Sequence, residues 1–174
     1  MLEVTQEKLR EAAFFLRRLT KAGNTLVGEE AEAFPYYFSA FLSAGRSVTF
    51  ALQAEEKDKY DAWFPGWFGR QTEEVRALFN FMKGQRNQVL KRGRADVTYS
   101  LEFIPIVKAL PAERRQALAF QWFGPPGVPL PAIGRRVRHF RLSGTRSEVS
   151  NTCARYFKML ESLVDDFLRA HSVA

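Results

Sequence analysis

The chain of 174 residues has a single cysteine, Cys153, and two histidines, His139 and His171. One thiol closes no internal disulfide and builds no cysteine-rich zinc centre, and two imidazoles do not make a multi-histidine metal site. The expectation is a reducing compartment and a fold that forms without metal or cofactor. No apolar run reaches the length a bilayer crossing requires. The opening Met-Leu-Glu-Val-Thr-Gln-Glu lacks the cationic start and apolar core of a secretory signal. A cytoplasmic protein without membrane contact is expected. Internal repeats and interdomain linkers are also missing, so residues 1–174 read as one domain. A chain of this length buries roughly two-thirds of its unfolded surface.

Acid is scarce in one place. Residues 76–147 carry fourteen basic and three acidic side chains, whereas residues 1–75 carry nine and twelve, and residues 148–174 three and four. The overall charge of +7 is therefore concentrated in the middle of the chain. Such asymmetry favours an acidic partner, nucleic acid being the commonest, although arginines that only keep a surface soluble give the same count. What the chain has in excess is phenylalanine, sixteen in all, enough for an aromatic core and a subunit contact.

Hydrophobic spacing divides the chain. Leu9, Ala12, Ala13, Leu16 and Leu19 recur at helical intervals over residues 5–22, with Gly23-Asn24 as the stop. Phe34, Phe38, Phe41, Gly45, Val48 and Leu52 mark a second helix over 29–54, with Pro35 tolerated near its start and little surface left for solvent. Residues 55–70 read as a charged turn followed by an aromatic connector broken at Pro65-Gly66. A third helix spans about 71–92, capped by Thr72, with Glu73-Glu74 in its first turn and an apolar stripe of Val75, Leu78, Phe79, Met82, Val89 and Leu90.

Beyond Gly93 the period falls to two. Val97, Tyr99, Leu101 and Phe103 form one strand candidate, residues 118–122 a second and the arginine-rich 135–142 a third, while the proline-rich 124–134 is a long turn. Val149, Cys153, Tyr156, Leu160, Leu163 and Phe167 define a last helix, with Ser143 or Ser147 as its cap. The fold class is mainly α: a helical core of about 5–92 and 147–171, with a small antiparallel ribbon or sheet inserted over about 95–142.

Arg86 lies four residues after Met82 and four before Leu90, so it interrupts an apolar stripe. A guanidinium placed there needs an anion: a ligand, or an internal carboxylate such as Asp61, Glu55 or Glu56. Arg46 shares a polar face with Ser39, Ser43 and Gln53. Antiparallel packing of the second and third helices would bring it towards Arg86; a solvent-facing stripe or a dimer seam explains it equally. Arg135, Arg136, Arg138, His139, Arg141 and Arg146 form a second cationic run. On a strand, Arg136 and Arg138 fall on one face and Arg135 and Arg141 on the other. They read either as phosphate contacts or as a charged edge strand. Trp63, Trp67 and Trp122 read as core or interface packing before base stacking, and Cys153 as inert.

The run Phe-Met-Lys-Gly-Gln-Arg-Asn-Gln-Val-Leu-Lys-Arg-Gly at residues 81–93 follows a helix containing Tyr-Tyr-Phe-Ser-Ala-Phe-Leu-Ser-Ala-Gly-Arg-Ser-Val-Thr-Phe at 36–50. Together they resemble the HEPN family over roughly residues 5–92. The resemblance implies a HEPN-like helical bundle, usually dimeric, that binds nucleotides or acts as a metal-independent ribonuclease. The ribonuclease signature is Arg, four to six residues, then His. Arg86 and Asn87 fit, but the four-residue spacing lands on Lys91 and the six-residue one on Gly93. An unperturbed lysine stays charged and cannot serve as the base that cleaves RNA through its 2′-hydroxyl.

Three functions follow. The first is noncatalytic binding of nucleic acid or a nucleotide, as a homodimer, through Arg46, Arg86, Asn87, Lys91, Arg92, Arg94, Arg136 and Arg138. The second is a degenerate ribonuclease of a toxin or phage-defence system using Arg86, Asn87 and Lys91. The third is a dimerisation module without a ligand.

Overall fold

The computed structural model describes residues 2–25, 28–93, 97–105, 132–141 and 146–172. Among these residues the elements are α1 (Glu3–Asn24), α2 (Glu29–Glu32), α3 (Phe34–Glu55), α4 (Lys57–Arg70), α5 (Glu73–Arg92), β1 (Val97–Pro105), β2 (Ala132–Arg141), β3 (Arg146–Glu148) and α6 (Val149–His171). The fold is mainly helical, with a three-stranded antiparallel sheet in the order β1-β2-β3 leading into the last helix. No helix among the described residues is long and apolar enough to cross a membrane.

α3 is the central helix and packs on α1, α4, α5 and α6. Its Phe34, Phe38, Phe41, Leu42, Val48 and Leu52 are all buried, each contributing about 1.5–3 kcal/mol of transfer free energy. Gly45 sets the distance to α6: a Cβ there would stand 2.9 Å from Cε1 of Tyr156 and 3.4 Å from Cδ1 of Leu160. The close approach lets Phe41 and Tyr156 meet edge to face at 6.2 Å. The expected single helix over 29–54 is two, because the chain turns at Ala33 and α3 then restarts with Pro35 in its first turn. Proline has no N–H to donate, and only that turn lacks an acceptor for one.

The aromatic connector is a correction. Residues 57–70 form one helix with Pro65 inside it. The missing hydrogen bond costs about 3 kcal/mol, yet Tyr60, Trp63, Phe64, Trp67 and Phe68 share one helical face. Trp63 meets Phe167 at 5.3 Å, Phe68 meets Phe79 at 5.4 Å, and Trp67 Nε1 donates to Asp166 Oδ2 at 2.9 Å. Helical spacing of large rings thus outweighs the Pro-Gly break. Trp63 and Trp67 are packing residues, and Trp122 lies outside the described residues.

α5 begins as expected, with the Thr72 hydroxyl accepting from the Val75 amide, and ends at Gly93 in the left-handed conformation with φ of 71°. Leu90 does not continue the apolar stripe: it is 57% exposed. α6 carries its predicted stripe buried, but its N-cap is Glu148. Ser147 belongs to β3 instead, and Ser143 lies outside the described residues.

The sheet packs onto the bundle through Phe140, which meets Phe81 at 4.9 Å and Phe38 at 5.5 Å. Val97 pairs with Phe140 and Pro105 with Ala132 in the β1–β2 register. The strand expected at 118–122 lies outside the described residues, as does the proline-rich turn up to residue 131; residues 132–134 belong to β2.

The start of α1 has no cap of its own. Glu55, at the end of α3, supplies one: its carboxylate accepts from the Val4 and Thr5 amides, both at 2.9 Å, and from the Thr5 hydroxyl at 2.6 Å. Desolvation raises the Glu55 pKa, but these hydrogen bonds outweigh it and hold the carboxyl below its ordinary value. A lowered folded-state pKa adds stability above the unfolded value, and that stability is lost as pH falls through the folded one. Urea denaturation between about pH 5 and pH 3 should therefore show wild type losing stability more steeply than Glu55→Gln. Equal slopes would remove Glu55 from the acid response.

Candidate anion-binding site

From Val75 to Gly93, α5 carries Arg76, Lys83, Arg86, Lys91 and Arg92 and no acid. Arg76 is turned back onto the end of α4, where it donates to the carbonyls of Gly69 at 3.0 Å and Gln71 at 2.8 Å. The other four cations have no carboxylate partner among the described residues.

Arg86 is half-buried. Its Nη1 reaches Asn87 Oδ1 at 3.4 Å, and its Nε is buried without an acceptor, as is Oε1 of neighbouring Gln85 without a donor, among the described residues. The internal carboxylates proposed for Arg86 are engaged elsewhere. Asp61 holds Lys57 and Gln53, Glu55 caps α1, and Glu56 pairs with Lys59 at 2.9 Å. Asn87, Lys91 and Arg92 are exposed on the following turns. Arg94 lies outside the described residues.

α3 and α5 run antiparallel, as the two clefts along their seam show. Phe34, Phe38 and Ser39 share one cleft with Val89 and Gly93, and Arg46, Phe50 and Gln53 share the other with Phe79 and Lys83. Arg86 lines neither. The cation that joins Arg46 is Lys83, one turn earlier. This second groove, about 260 Å³, also takes in Thr49 and, from α4, Tyr60, Asp61 and Phe64. The Arg46 guanidinium lies 4.1 Å from the Phe50 ring centre and donates to Thr49 Oγ1 at 3.1 Å. Burial pushes the Tyr60 hydroxyl up to about 12, with Arg46 opposing the rise and Asp61 adding to it. The hydroxyl therefore keeps its proton at neutral pH. Lys83 stands in the quoted 81–93 run four residues after Phe79, at the edge of the apolar stripe. That position was its only signal; the match with Arg46 depends on helix register.

Arg138 is turned inward. It is 9% exposed and donates to the carbonyls of Ala22 at 3.1 Å, Gly23 at 3.3 Å and Ala31 at 2.9 Å, with its guanidinium 4.1 Å from the Phe34 ring centre. These are carbonyls at the ends of α1 and α2, where helices leave acceptors unpaired and the dipole favours a cation. Its place among the surface phosphate contacts is thereby corrected. Arg136 is in register with Leu101; its side chain, like those of Arg135, Arg141 and Arg146, lies outside the described residues.

His139 Nε2 sits 3.1 Å from Ser100 Oγ, and its Nδ1 is buried without a partner among the described residues. His171 lies on the Phe167 ring at 4.3 Å. Cys153 is fully buried, which pushes its thiol well above the ordinary value. No group of His, Cys, Asp and Glu able to hold a metal ion occurs among the described residues. Compared with protein-family models, curated proteins and solved structures, the chain matches none.

Charged hydrogen bonds contribute about 1.5–3 kcal/mol each, and a carbonyl left buried adds to the loss. Arg138→Ala should therefore lower the unfolding free energy by about 3 kcal/mol in urea titration. Lys91→Ala, on the surface, should stay within about 0.5 kcal/mol of wild type. Equal stability of the two variants would refute an architectural role for Arg138.

Proposed function

We propose that the chain is a noncatalytic, HEPN-like nucleic-acid-binding protein that holds a phosphate backbone on the C-terminal half of α5. The observation that carries this reading is Arg86, half-buried on a stretch of α5 without acids, its Nε unpartnered among the described residues and the carboxylates the sequence offered it, Asp61, Glu55 and Glu56, engaged elsewhere. An unpaired buried donor costs about 1–3 kcal/mol, and a phosphate oxygen that draws the half-buried guanidinium outward would remove that cost. Lys91 and Arg92 also offset the dipole at the helix end. Arg86 stands six residues before Arg92, too far back for that explanation. Asn87 adds a neutral donor beside it.

Cleavage is not part of the proposal, because Lys91 occupies the histidine position and is exposed, the setting of a phosphate contact. The proposal includes a homodimer. Tyr36, 75% exposed at the start of α3, and Leu90 at the end of α5 supply apolar surface on adjoining, antiparallel helices.

Filter binding of single-stranded RNA should show affinity that falls steeply with salt. The variants Arg86→Ala, Lys91→Gln and Arg92→Gln should each weaken binding regardless of sequence and flatten the log–log salt slope by about 0.7–1. Absence of RNA and DNA binding at low salt would sink the reading, as would an Arg86→Ala protein indistinguishable from wild type. Sedimentation equilibrium checks the dimer: Tyr36→Asp with Leu90→Asp should yield monomers, and a wild-type protein that is already monomeric would exclude it.

A further inference from the structure

The groove between α3, α4 and α5 is built differently from the open face around Arg86. Arg46 is held in place before any ligand arrives, over the Phe50 ring and anchored through Nη1 to Thr49. Its remaining guanidinium nitrogens have no acceptor among the described residues, so the free edge of the fork is available to an anion. Lys83 enters from α5 on the other side, also without a carboxylate partner among the described residues.

Among the described residues Asp61 is the acid that lines this groove, and it is already neutralised. Gln53 Nε2 donates to one of its oxygens at 2.6 Å and Lys57 to the other at 2.9 Å. With Lys57 counted against Asp61, Arg46 and Lys83 leave the groove with two positive charges unopposed among the described residues. The Tyr60 hydroxyl adds a neutral donor, and Phe50, Phe64, Pro65 and Phe79 form apolar walls that strengthen any charge interaction between them.

We propose that this groove binds a phosphate monoester through Arg46, Lys83 and the Tyr60 hydroxyl. A monoester carries about −1.5 to −2 charge at neutral pH, which matches two cations, whereas a backbone diester carries one. Ligand pockets span about 300–1,000 Å³. A groove of about 260 Å³ falls just below that range and suits a phosphate with its sugar more than a whole dinucleotide. The monoester comes either from a free mononucleotide or from the phosphorylated end of a strand. The site stands independently of the α5 face, because a strand without a terminal phosphate still tests that face alone.

Isothermal titration of the full chain with adenosine 5′-monophosphate, with adenosine, and with one oligonucleotide bearing either a 5′-phosphate or a 5′-hydroxyl tests the proposal. The monophosphate is expected to bind at least tenfold more tightly than adenosine, and more tightly as pH rises through about 6, where the monoester gains its second charge. Arg46→Gln and Lys83→Gln should each weaken it about tenfold while the helical circular dichroism stays native. Arg18→Gln should not: it removes another arginine seated on a phenylalanine, Phe14, at 5.4 Å on α1. Preference for the phosphorylated strand identifies a strand end as the source, and discrimination by the mononucleotide alone identifies a free ligand. Equal binding of adenosine and its monophosphate, undiminished affinity in a folded Arg46→Gln protein, or no response in either arm overturns the assignment.

Discussion

The guanidinium of Arg138 stands where two helix ends and a strand meet, and the joining of sheet to bundle depends on it. Backbone carbonyls at a helix terminus have no partner in their own helix. Where α1 stops and α2 turns into α3, the carbonyls of Ala22, Gly23 and Ala31 converge on Arg138, Ala22 also accepting from the Thr25 amide at 3.3 Å. A planar cation with several donors is suited to that geometry, and the Phe34 face beneath it compensates part of the desolvation. With Arg138 in place, β2 is pinned against the bundle and Phe140 is carried onto Phe38 and Phe81.

Much of the architecture was legible because hydrophobic period is a local signal. α1, α5 and α6 follow the recurrence of Leu9, Phe79 and Tyr156 with their neighbours, and β1 follows the alternation from Val97. α4 was not legible from Pro65-Gly66, since the decisive contacts of its rings are with Phe79 and Phe167, on helices that follow it in the chain. The candidate site was legible only by half. The position of Arg86 on a stripe could be read from spacing, and its lack of a carboxylate could not, because ion pairs depend on which helices adjoin. The basic run puts Arg138 on a strand but does not reveal its surroundings, for such a run reads alike whether it faces water or carbonyls.

The cationic excess therefore divides by environment. Arg76 and Arg138 serve helix ends inside the fold, while Arg46, Lys83, Arg86, Lys91 and Arg92 have no carboxylate partner among the described residues. A raw count of positive charge overstates what a partner can meet. The cations left over have two settings: an open helical face, proposed for a repeating backbone, and a walled groove, proposed for a single doubly charged group.

Thr25 caps the end of α1 locally, its hydroxyl donating to the Lys21 carbonyl at 3.0 Å and its amide to the Ala22 carbonyl at 3.3 Å. The first turn of α1, by contrast, is closed by Glu55, and its Ala22 and Gly23 carbonyls also meet Arg138, residues that lie far along the chain. During synthesis α1 emerges before both, and must wait for the end of α3 before Glu55 meets its leading amides and for β2 before Arg138 meets the Ala22 and Gly23 carbonyls. α1 is thus among the last helices to be locked although it precedes the other helices of the described residues, and any partner that holds α3 or β2 back would leave it open at that end.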